Sequence, residues 1–119
     1  MITTHPPTLI VVDDEEAVRY SFRRMMNKEP FHLETYSNGR EALERVRRGD
    51  VSVVVLDVRL GGDMEGTELL RHIKEFDPKI SAILMTAYAS ANTDNSTKIF
   101  NMRWFSQWSE NIFNFISHF

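Results

Sequence analysis

The sequence predicts an α/β fold, a doubly wound parallel sheet sandwich. From Leu9 onward, short β-branched apolar runs alternate with stretches of helical periodicity, so each strand is followed by a segment long enough for a crossover. The third run, Val51 to Asp57, is nearly all apolar, as a strand covered on both faces must be. Right-handed crossovers above and below one parallel sheet then give the layered sandwich.

The elements follow in order. LIVVD (Leu9 to Asp13) reads as a buried strand, and EEAVRYSFRRMMN as a helix with Val18, Phe22, Met25 and Met26 on one face. FHLETYS (Phe31 to Ser37) alternates apolar and polar residues like a half-exposed edge strand. NGREALERVRRG is a short helix closed by Gly49, and its Arg45, Arg47 and Arg48 form a solvated end where cations favour the helix dipole. After the third strand a glycine-rich loop, LGGDMEG, leads to TELLRHIKEF, whose Leu69, Leu70 and Ile73 make a buried stripe and which Asp77-Pro78 stops. Ile80 to Met85 is a fourth strand. The expectation is four βα units, with no internal repeat or low-complexity tract.

Past Asn92 the composition changes. Up to Phe119 there is no Leu, Val, Gly or Pro, while Phe100, Trp104, Phe105, Trp108, Phe113, Phe115 and Phe119 crowd together. Two readings of this tail stay open. Met102 to Trp108 forms a fifth strand, with Ser109 capping a last helix, SENIFNFISHF. Alternatively one helix carries Met102, Phe105, Trp108, Ile112, Ile116 and Phe119 on a shared stripe, which the three- and four-residue steps favour slightly. Without a sound fifth strand, ISAILM is an apolar sheet edge, and with the aromatic stripe it predicts a homodimer through the tail.

Composition narrows the function. The chain has 119 residues, the size of one domain, with 42% hydrophobic and 26% charged residues. No cysteine is present, which excludes disulfides and thiolate metal sites and suits a reducing cytosol. No apolar stretch reaches membrane-span length, and MITTHPPT lacks the features of a signal peptide, so a cytoplasmic protein without membrane contact is expected. A net charge of −3 gives no general basic field for nucleic acid, and the aromatic tail has no basic residues clustered round it for base stacking.

The chemistry-bearing residues lie at predicted strand ends. Ligands of open parallel sheets bind beyond the carboxyl ends of the strands, where strand order reverses. In a sheet ordered 2-1-3-4, Asp13 and Asp14 after the first strand meet Asp57 at the end of the third, and Thr86 ends the fourth on the same rim. A lone aspartate at a strand end is more often a turn former or helix cap. Three carboxylates in one place repel one another unless a hard cation joins them, and oxygen ligands without His or Cys favour Mg²⁺ over zinc.

IVVDDE, VVVLDVRL and ILMTAY together resemble the receiver domain of two-component response regulators, a flavodoxin-like fold, from about Leu9 to Ala91. The resemblance implies a phosphoryl acceptor at Asp57, a sensor histidine kinase as donor, and Mg²⁺ held by Asp13, Asp14, Asp57 and the main-chain carbonyl of Arg59. It also implies that Thr86 and Ala87 contact the phosphoryl group, and that the domain is not itself an enzyme. LRHIKEFDPKI and MTAY are most similar to receivers that control transcription through an ATPase output module, for which this sequence has no counterpart.

Two departures stand out. The loop Leu60-Gly61-Gly62-Asp63-Met64-Glu65-Gly66 lacks the family's proline and is one residue longer. The family also carries a Lys-Pro pair at the end of a fifth strand. Counting on from Thr86 without gaps puts that pair at Trp108 and Ser109, and Lys98 falls too early, so no catalytic lysine is expected and switching is expected to be impaired. The competing expectation is a degenerate receiver that acts as a dimerising interaction module without phosphotransfer. A haloacid-dehalogenase-type phosphatase fits less well, because its paired aspartates lie on the first strand, whereas the isolated Asp57 lies on the third.

Overall fold

The computed structural model describes residues 6–86 and 97–101. Over them the chain runs β1 (Thr8–Val12), α1 (Glu16–Met25), β2 (His32–Tyr36), α2 (Gly39–Arg47), β3 (Val53–Asp57), α3 (Gly66–Phe76), β4 (Ser81–Thr86) and β5 (Thr97–Asn101). The strands form one parallel sheet in the order β2-β1-β3-β4-β5. Strand order therefore reverses at β1 and β3, as the sequence predicts.

Side-chain alternation divides the core into two layers. Leu9, Val11, Val53, Val55, Ile83 and Met85 pack with Val18, Phe22 and Met26 of the α1 region. Their neighbours Ile10, Val12, Val54, Leu56, Ala82 and Leu84 face the other way, onto Ala42, Leu43 and Val46 of α2 and Leu69 and Ile73 of α3. β1 and β3 are fully covered because both layers close over them, which is why their sequences are continuous apolar runs. β2 is an edge strand: His32 is exposed and the other four residues are half-buried, so its alternation in sequence becomes a graded exposure rather than a clean two-faced one.

Helix ends follow local chemistry. Asn38 caps α2 by accepting from the Glu41 amide at 3.0 Å. Gly49 takes φ +90° beyond the last turn of α2, where a left-handed residue ends a helix without a Cβ clash. Arg45 at that end bonds Glu34 of β2 at 2.8 Å, so one arginine of the cluster is tied to the sheet edge rather than solvated.

The fifth strand departs from expectation. It forms at Thr97–Asn101, before the Met102 to Trp108 segment, and pairs with β4 from Ala82↔Thr97 to Thr86↔Asn101. Thr97, Ile99 and Phe100 supply the β-branched and aromatic residues that suit a strand. β4 is consequently an internal strand, and the open ISAILM edge that favoured dimerisation does not exist. The fourth unit's crossover and both readings of residues 102–119 lie outside the described residues, as do the aromatic stripe and Ala87. Among the described residues no helix is long and apolar enough to cross a membrane.

Candidate metal centre

β1 and β3 lie side by side with Val12 opposite Leu56, so the residues that follow them emerge together at the carboxyl edge. Asp13, Asp14 and Asp57 meet there, each with a carboxylate oxygen within 4.8 Å of the other two. Asp13 is fully buried, Asp57 half-buried and Asp14 exposed, so the cluster opens outward from a closed floor.

Asp13 and Asp57 share a local device. The Glu15 amide donates to Asp13 Oδ1 at 2.8 Å, and the Arg59 amide donates to Asp57 Oδ1 at 3.0 Å. Each aspartate thus shapes its own turn by accepting from the amide two residues on. The turn-former reading holds for both residues, and in each the turn occupies one carboxylate oxygen, Oδ1. At Asp13 the second oxygen, Oδ2, is buried with no hydrogen-bond partner, an arrangement that costs free energy unless something else meets it.

Electrostatics agree with the geometry. Burial pushes the Asp13 carboxyl up to about 7; the Glu15 amide opposes this, and the charges of Asp57, Asp14 and Glu15 add to it. Burial also raises Asp57, against the Arg59 amide, with Asp14, Glu15 and Glu65 contributing repulsion. A divalent cation would reverse these effects by giving the orphaned Oδ2 a partner and cancelling the mutual repulsion. The donor set is oxygen only, which fits a hard ion.

In the loop after Asp57, Gly61 and Gly62 take φ +70° and +69°, where a Cβ would be strained. Glu65 reaches back to accept from the Gly61 amide at 2.8 Å and closes the loop. Thr86 stands one residue past the partner of Asp57, since Asp57 pairs with Met85, so its backbone reaches the same rim. Asn101 pairs with Thr86, and it therefore holds the strand-end position that gap-free counting gave to Trp108. Lys98 pairs with Ile83, near the start of β5 and away from its carboxyl end.

Sequence reasoning missed two residues at this edge. Arg19 donates to the Asp13 main-chain carbonyl at 2.6 Å. Its only trace in sequence is the Glu16, Arg19, Arg23 spacing along one face of α1. Gly66 opens α3 directly against the Asp57 backbone, and a glycine as first helical residue of a glycine-rich loop was the available signal.

The model of the response regulator receiver domain family matches residues 9–104, past Ala91 and across β5. The chain is 32% identical over 90 residues to sporulation initiation phosphotransferase F of Bacillus subtilis, covering 76% of this chain and 72% of that protein. It is 34% identical over 85 residues to the transcriptional regulatory protein ZraR of Klebsiella oxytoca, which covers 71% of this chain and 19% of that protein. Among solved structures, response regulator protein TrrA of Thermotoga maritima, in complex with Mg(2+)-BeF, superposes with a TM-score of 0.72 at 27% identity. That match covers 89% of this chain and 96% of TrrA.

Proposed function

Since the chain belongs to the response regulator receiver domain family, we propose that it is a cytoplasmic protein that receives a phosphoryl group on Asp57 from a phosphohistidine of a sensor histidine kinase, in a reaction that needs Mg²⁺. The observation that carries this is the convergence of Asp13, Asp14 and Asp57, with Asp13 Oδ2 buried and unpartnered. Bound Mg²⁺ supplies charge neutralisation, of the carboxylates at rest and of the phosphoryl oxygens during transfer.

The chain's own residues supply position. The Arg59 amide holds Asp57 Oδ1 and so fixes the carboxylate, leaving Oδ2 as the nucleophile. Attack by Oδ2 forms the P–O bond of an acyl phosphate as the P–N bond to the donor histidine breaks; the imidazole leaves and takes a proton from solvent. Asp13, Asp14 and Asp57 would serve as carboxylate ligands, and the Arg59 carbonyl as a main-chain one. Thr86, which ends β4, and Ala87 contact the phosphoryl oxygens. The domain is then a substrate of the kinase and not an enzyme in its own right.

Switching is impaired in this reading. The strand-end position beside Thr86 holds Asn101 in place of a cation, so one group that senses the added charge is missing. A ligand that makes no differential contact with two states shifts no equilibrium between them.

Beryllofluoride, an acyl-phosphate mimic, tests the site. Fluorine NMR should show a bound resonance only when Mg²⁺ is present, and none with Asp57→Asn. A bound resonance that persists in that variant would refute the assignment.

A further inference from the structure

Arg19 touches the acidic site without belonging to it. Its side chain is 14% exposed, and one guanidinium nitrogen donates to the Asp13 carbonyl at 2.6 Å while the other meets Glu16. Glu16 gives its second oxygen to Arg23 at 2.6 Å, and Arg23 donates to Thr35 Oγ1 on β2 at 3.1 Å. The guanidinium of Arg19 is therefore fixed from behind by its own helix and through it by the neighbouring strand.

Asp13 is held at three atoms. Its amide donates to the Tyr36 carbonyl at 3.1 Å, its carbonyl accepts from Arg19, and its Oδ1 accepts from the Glu15 amide. The carbonyl it offers Arg19 belongs to the peptide group joining Asp13 to Asp14. That group is planar, so fixing its oxygen fixes the direction in which the chain leaves toward Asp14. Successive residues of an extended strand point to opposite faces, and only a turn set at this peptide brings both carboxylates to one place.

We infer that Arg19 is a positioning residue for the cation site: by clamping the Asp13–Asp14 peptide plane it aims both carboxylates at one ion. The inference rests on the reading of the site given above. Neither of its bonds is to a cluster carboxylate, so its action is through the backbone. Partners one step removed from a metal, which orient its ligands, are worth roughly 10- to 100-fold in affinity.

Calorimetric Mg²⁺ titration of the full chain, with apo melting temperatures measured in parallel, separates orientation from mere support. Arg19→Ala should weaken Mg²⁺ binding by about 10-fold or more. Arg23→Ala, which breaks the outer end of the same network, should lower the melting temperature and leave the affinity at the wild-type value. If Arg19→Ala does not fold, Arg19→Gln, which is too short to span both partners, should show the same loss. A folded Arg19 variant with wild-type affinity overturns the inference alone. Wild-type protein that binds no Mg²⁺, or binds it equally well after Asp57→Asn, overturns the reading of the site and the inference with it.

Discussion

Gly66 lies against the main chain of Asp57 so closely that a Cβ built on it would stand 1.8 Å from the Asp57 carbonyl oxygen. Its amide donates to the Val58 carbonyl at 3.0 Å, which fastens the start of α3 to the chain just beyond Asp57. No side chain fits there, because the atom in the way is backbone and cannot turn aside.

Gly66→Ala should therefore destabilise the fold by about 3 kcal/mol, the upper range for overpacking. It should also displace Asp57. Urea unfolding measures the first effect, and beryllofluoride affinity of the folded fraction measures the second.

Asp13 gives a pH dependence with a definite sign. Its folded pKa, about 7, lies above the ordinary aspartate value of 3.8. A group raised on folding contributes stability that is fully present below the unfolded pKa and is lost as pH rises through the folded one. Apo stability should thus fall between about pH 4 and pH 7, by up to about 4 kcal/mol at 1.36 kcal/mol per unit. The raised carboxyl of Asp57 acts in the same direction. Asp13→Asn should flatten much of this slope, and saturating Mg²⁺ should restore stability at and above pH 7 while binding more weakly at pH 5. Urea melts across pH, with and without Mg²⁺, read all three.

Most of the fold was legible because its cause is local. The continuous apolar run at Val53–Leu56 can only be a strand covered on both faces, and strand order then brings Asp13, Asp14 and Asp57 to one edge. β5 was misplaced because counting from Thr86 assumed a connection of family length, whereas the paired strand begins at Thr97. Arg19 was illegible for another reason: whether a long side chain meets a carbonyl six residues earlier depends on its rotamer and on the turn, which spacing alone does not encode. The unpartnered Oδ2 of Asp13 is likewise a product of packing, since in sequence Asp13 and Asp14 are equivalent neighbours.

Asn101 offers a gain-of-function test. Asn101→Lys places a cation at the strand-end position in register with Thr86. In wild type, beryllofluoride should shift few amide resonances beyond the Asp57 loop; in the variant the shifts should spread to β4 and β5. Equally wide shifts in both proteins would show that switching does not depend on a cation at this position.

The central claim, that Asp57 is a Mg²⁺-dependent phosphoryl acceptor, is tested most directly by incubating the protein with acetyl phosphate and measuring intact mass. Wild type should gain the mass of one phosphoryl group with Mg²⁺ and none when the metal is chelated, and Asp57→Asn should gain none in either condition. Phosphorylation of Asp57→Asn to the wild-type extent, or an unmodified wild type in excess Mg²⁺ and acetyl phosphate, would contradict the account.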